Sequence, residues 1–119
     1  MEGLEDAIRA IIEQAASGNT DACLTLEAKA VPSAWVQYTW DSLNFAFPAS
    51  SEPGTWLASL GVALPEGAEL LDFEAGSFAT FGHRADDVAG LARFARLYFS
   101  AAFGVLASSE NIRIREEQL

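Results

Sequence analysis

Asp86-Asp87-Val88-Ala89-Gly90-Leu91-Ala92-Arg93-Phe94-Ala95-Arg96-Leu97-Tyr98-Phe99-Ser100-Ala101-Ala102-Phe103 is the stretch on which the reading of the whole chain depends. Val88, Leu91, Ala92, Ala95, Tyr98, Phe99 and Ala102 recur at spacings of three and four, the signature of one side of an α-helix. Wound at about 100° per residue, that side widens to include Phe94 and Phe103, leaving Asp86, Arg93, Arg96 and Ser100 as a narrow polar strip. A surface helix needs an apolar face of only ~100°, and this one covers roughly twice that. The helix is therefore expected to lie across a sheet and to touch a second body, either another helix of this chain or a partner chain. Nothing in the stretch is catalytic.

Upstream of it, the periodicity changes repeatedly. Leu4, Ile8, Ile11, Ile12 and Ala15 mark a first amphipathic helix, with Glu5, Asp6, Arg9 and Glu13 on its other side. Glu2, Glu5 and Asp6 suit the positive end of the helix dipole, and Gly18-Asn19 ends it. Ala22–Lys29 alternates with the period of a half-buried strand. Trp35–Trp40 and Leu43–Phe47 are aromatic and β-branched, separated by Asp41-Ser42, and read as a hairpin. Leu43, Phe45 and Phe47 are expected to face the core helix, and Trp35 falls on the opposite strand face from Tyr38 and Trp40. Ser51 is the expected cap of a short helix with Pro53 in its first turn, an apolar face of Trp56, Leu57 and Leu60, and Gly61 at its end. Glu69–Phe73 and Ser77–Phe81 read as a second hairpin around Glu74-Ala75-Gly76. After Gly104, Asn111–Glu117 is open between a short edge strand and a frayed helical tail. The expectation is one α+β domain over residues 1–119, order α-β-β-β-α-β-β-α, with a flexible tail at 108–119. Its antiparallel sheet has about five strands, with helices mainly on one face.

Composition sets bounds on partners. The 119 residues suffice for a core without disulfides or metal, and half are hydrophobic, including eight Phe and three Trp. Global disorder is excluded on that composition. Seventeen acids against seven bases give a net charge of −10. Phosphate backbones and anionic membranes repel such a chain, so neither nucleic acid nor membrane is expected as a partner, whereas a basic protein is. The single cysteine, Cys23, cannot form an internal disulfide, and the acidic N-terminus is not a signal peptide, so a cytoplasmic location is expected. No apolar run approaches the ~20 residues of a membrane span.

The chemistry-bearing residues are few. His83 is the only histidine and stands at a strand-to-helix junction, where capping or exposure explains it. Cys23 reads as a buried small hydrophobe. With one His and one Cys, no ordinary zinc site can be assembled, and no metal or cofactor is expected. Asp72 and Glu74 are same-face neighbours on a strand and Asp86-Asp87 open a helix; turn chemistry and the helix dipole account for both pairs. No Gly-rich phosphate loop is present. The expectation is a protein that is not an enzyme.

Trp35, Tyr38, Trp40 and Trp56 divide between core and recognition surface, because a sheet with helices on one face leaves the other visible. The element order, the size and the acidity resemble the type III secretion chaperone-like superfamily, the fold shared with YbjN-type bacterial domains. Local phrases strengthen the likeness: Trp35-Val36-Gln37-Tyr38 with Leu43–Pro48, Trp56–Pro65, and a last helix ending Ala102-Phe103-Gly104-Val105. The resemblance implies a non-enzymatic homodimer that binds another polypeptide, with the second helix and a neighbouring strand at the dimer contact. It marks Trp56, Leu57, Leu60, Leu70 and Phe73 as dimer candidates, and Trp35, Tyr38 and Trp40 join them as interface aromatics. A chaperone- or adaptor-like protein-binding module is the expected function. An acidic antagonist of a basic toxin and a small-molecule-binding sensory domain are the alternatives; an apolar pocket under the long helix would favour the latter.

Overall fold

A computed structural model describes residues 2–84 and 87–119. Its elements are α1 (Leu4–Ala16), β1 (Ala22–Ala28), β2 (Trp35–Tyr38), β3 (Ser42–Phe47), α2 (Pro53–Leu60), β4 (Glu69–Glu74), β5 (Ser77–Gly82), α3 (Val88–Phe103) and β6 (Ile112–Gln118). The strands form one six-stranded sheet in the order β4-β5-β3-β2-β1-β6, and every neighbouring pair is antiparallel. The expected α+β class and element order hold, and both hairpins form where their turn residues stand. The strand count of about five is corrected to six. The edge-strand reading of Asn111–Glu117 is the one realised, because Ile112–Gln118 pairs along the whole of β1.

Alternation decides which face of the sheet is covered. Leu24, Leu26, Val36, Tyr38, Leu43, Phe45, Ala79 and Phe81 share one face and are buried in one core with Leu4, Ile8 and Ile11 of α1, Leu57 of α2, and Leu91, Phe94, Tyr98 and Phe99 of α3. All three helices therefore contribute to the same side. Burying that many aliphatic and aromatic side chains, at ~1.5–3 kcal/mol each, is the main stabilising term. Phe45 lies at the centre, its ring 5.2 Å from Phe94, 5.4 Å from Tyr98 and 5.9 Å from Phe81. The Tyr38 hydroxyl on β2 donates to the Leu91 carbonyl of α3 (2.6 Å), and the Tyr98 hydroxyl on α3 donates to the Ala46 carbonyl of β3 (2.5 Å). Two hydrogen bonds thus tie helix to sheet in opposite senses. Burial pushes both phenols well above their ordinary range.

The wide apolar arc of α3 is consumed inside the chain. One side meets the sheet, the N-terminal helix α1 packs beside it, and Trp56 of α2 reaches Tyr98 (6.4 Å between rings). Arg93, Arg96 and Ser100 are exposed, as the polar strip requires. Asp86 lies outside the described residues. Asp87 is the cap, its carboxylate accepting from Gly90 N–H (3.1 Å) and from Glu66 N–H (2.9 Å) in the loop between α2 and β4. At α2 the cap is Glu52, not Ser51: its carboxylate reaches Gly54 N–H (2.9 Å) and Thr55 N–H (2.8 Å), a geometry a serine hydroxyl one residue earlier cannot supply.

Candidate functional site

The surface left over after core formation includes the helix-free sheet face, the two edge strands, a groove beside α1, and two wider grooves, one of about 330 Å3 by Trp35 and Phe103 and one of about 390 Å3 by Leu71 and His83. The open face carries a row of polar side chains set by register: Asp72, Thr80, Asn44, Gln37, Thr25 and Arg115, one from each strand. Thr80 donates to Asn44 Oδ1 (2.6 Å) and Gln37 to Thr25 Oγ1 (3.3 Å), so part of the row is already satisfied internally. Cys23 is buried beside Gln37, and burial together with the Glu117 carboxylate pushes its thiol pKa up. A thiol held protonated is a poor nucleophile.

β4 is the first edge. Alternation turns Leu70 and Phe73 to the helix side, where Phe73 and Trp56 both stack edge-on against the buried Phe47 (6.0 and 5.3 Å). A bulge between Leu70 and Asp72 interrupts the pairing with β5 and turns Leu71 outward, 62% exposed. Leu71 lies over Gly82, where a Cβ would stand 3.3 Å from Leu71 Cδ1, so glycine leaves it room. Glu69, Asp72 and Glu74 surround these apolar residues and are exposed, and β4 contains no base. This edge thus carries Leu71 among acids on the open face and Phe73 on the helix side, with its outer backbone groups unpaired by any strand of the chain.

The eight residues marked from sequence do not converge on one patch. Leu57 and Tyr38 are corrected from interface to core, at 1% and 0% exposure, because each points from its element into the single hydrophobic cluster. Trp56, Leu60 and Leu70 are half-buried against that cluster, and Phe73 is 39% exposed beside them. Trp35 stands half-buried on the opposite sheet face. Trp40, 38% exposed, lies past the end of β2 and closes an apolar groove of about 260 Å3 with Ile12, Ala15, Ala16 and Thr20. Leu71 was missed. The Leu70-Leu71 doublet breaks strand alternation, and that break was the available signal of a bulge.

His83 holds the chain end of β5 in place. Its backbone N–H donates to the Asp41 carbonyl (3.0 Å), and its two ring nitrogens face the Thr39 and Arg84 carbonyls at 3.1 Å each. It ties two turns together and does not cap α3. Among the described residues, no three His, Cys, Asp or Glu side chains gather as a metal site, and no helix is long and apolar enough to cross a membrane. Compared with known proteins, the chain matches no family model, no curated protein and no solved structure.

Proposed function

We propose that this chain is a non-enzymatic protein-binding module, chaperone- or adaptor-like, that works as a homodimer and takes an extended, basic segment of a partner along β4. The observation that carries the reading is the β4 edge itself. Unpaired backbone groups offer a ladder for an added strand, Leu71 and Phe73 offer apolar anchors, and Glu69, Asp72 and Glu74 select positive charge. The likeness to secretion chaperones, whose partners bind in extended form, points the same way. The wide apolar arc of α3 lends the dimer no support, since this chain covers it. A small-molecule sensory domain has the Trp40 groove in its favour, but that groove lies against α1 and not under α3.

The test is fluorescence anisotropy with a synthetic peptide of alternating lysine and valine. Binding is expected to weaken about tenfold or more in Leu71→Lys, which changes an exposed side chain and leaves the core intact. A second peptide of the same charge built from Lys-Pro-Pro repeats leaves few N–H groups facing β4 in either phase and is expected to bind weakly. Equal binding of the two peptides would mean charge attraction alone and would overturn the strand-addition reading.

A further inference from the structure

The other sheet edge differs from β4 in regularity and in charge. β6 is seven residues long, regular, and free of glycine, proline and bulge. Lys29 N–H donates to the Asn111 carbonyl and Leu119 N–H to the Asp21 carbonyl, so the odd-numbered residues of this strand turn their backbone groups toward β1. The N–H and C=O groups of Ile114, Glu116 and Gln118 therefore point away from the sheet. The side chains alternate in face. Arg113, Arg115 and Glu117 lie on the open face, where Arg113 pairs with Glu27 (3.2 Å) and Arg115 with Glu117 (3.7 Å). Within a chain of net charge −10, this edge is locally neutral.

We infer that β6 is the dimer contact: it pairs antiparallel with β6 of a second copy across a two-fold axis at Arg115, joining two sheets into one of twelve strands. The inference rests on the homodimeric part of the function proposed above and leaves β4 free for the client. Full overlap of Ile112–Gln118 with its own copy sets Arg113 opposite Glu117 twice, and opposite charges facing each other across an antiparallel pair are stabilising. Arg115 meets its twin on the axis with Glu117 of its own chain already beside it. The alternative two-fold contact is disfavoured. β4 paired with β4 would bring Glu69, Asp72 and Glu74 against further carboxylates, and its bulge spoils the ladder.

The test is light scattering with in-line sizing over a dilution series of the intact chain. Wild type is expected at twice 12.7 kDa in the tens of micromolar. Arg113→Glu alone and Glu117→Arg alone each place like charges opposite one another and are expected to weaken the dimer about tenfold or more. An equimolar mixture of these two variants restores both opposite pairs, and is expected to recover the dimer. Glu116→Pro removes an N–H that faces outward, not toward β1, and is expected to give a folded monomer; Glu116→Ala is expected to remain a dimer. If both charge variants dimerise as wild type does, or the mixture fails to recover, the β6 contact is wrong while a dimer through another surface stands. A wild-type monomer at every concentration overturns the contact and the homodimer together, and the peptide experiment on β4 is unaffected by it. Species larger than a dimer would point to β4 joining β6 head to tail, which also overturns the two-fold.

Discussion

Gly90 occupies the third position of α3, where an alanine would ordinarily stabilise a helix by roughly 1 kcal/mol. Here a Cβ would stand 2.2 Å from the Asp87 Oδ2 atom, inside the space the capping carboxylate needs. Gly90→Ala is therefore expected to displace that carboxylate and to destabilise the fold by about 1 kcal/mol net, read from a urea midpoint. A rise in stability would show that the cap is dispensable. Backbone N–H donors from Glu66 and Gly90 hold the Asp87 pKa below its ordinary value. A depressed carboxylate contributes stability that is present above the ordinary Asp range and disappears as the pH falls through the folded value, below about 4. At this scale the sequence was legible where chemistry is local. Asp87 and Gly104 fell where helix-terminus rules place them, with Gly104 at φ 64°. The sequence reading put the α2 cap at Ser51 and the chain uses Glu52, because both side chains carry acceptor oxygens and only the backbone path chooses between them.

Helix α2 shows how a short apolar element finds a docking partner within its own chain. Its eight residues are apolar enough to demand a docking partner, as any helix so short does. That partner is the chain's own β3 and α3, through Trp56 against Phe47 and Tyr98, with β4 alongside. Trp56→Ala is expected to cost about 3 kcal/mol of stability, the low end for a large aromatic because the ring is only half-buried, and to leave the solution mass unchanged. A stable variant with altered mass would return α2 to the interface. The two hairpins were legible because their pairing is encoded within a few residues of the turn. β6 was not, since its partner β1 lies about ninety residues away and its register depends on no local turn. The outward turn of Leu71 left one trace in the sequence, the break in alternation at Leu70-Leu71, which marks a bulge without saying which residue it turns outward.

Across the whole molecule, the chain's two tyrosines are both in the core, and each links sheet to helix. A phenol whose folded pKa is raised contributes nothing to pH dependence until the unfolded chain begins to ionise near pH 10; above that the unfolded state binds fewer protons, and stability falls as the pH rises. Alkaline titration is expected to show no phenolate absorbance before far-ultraviolet circular dichroism reports unfolding, with the two signals changing together. Phenolate appearing first, in a chain still folded, would mean that the bonds to Leu91 and Ala46 open locally. Tyr38→Phe with Tyr98→Phe is expected to remove this alkaline dependence, at about 1 kcal/mol for each lost hydroxyl bond. The edge strands β4 and β6 bear a different consequence, because they stand at opposite ends of the sheet order. Two copies joined at β6 hold their β4 edges eleven strand spacings apart, about 50 Å along the sheet. The proposed dimer would be bivalent: a client with one basic segment would occupy a single end, whereas one with two segments joined by at least ~15 extended residues would span both and gain avidity with no new contact.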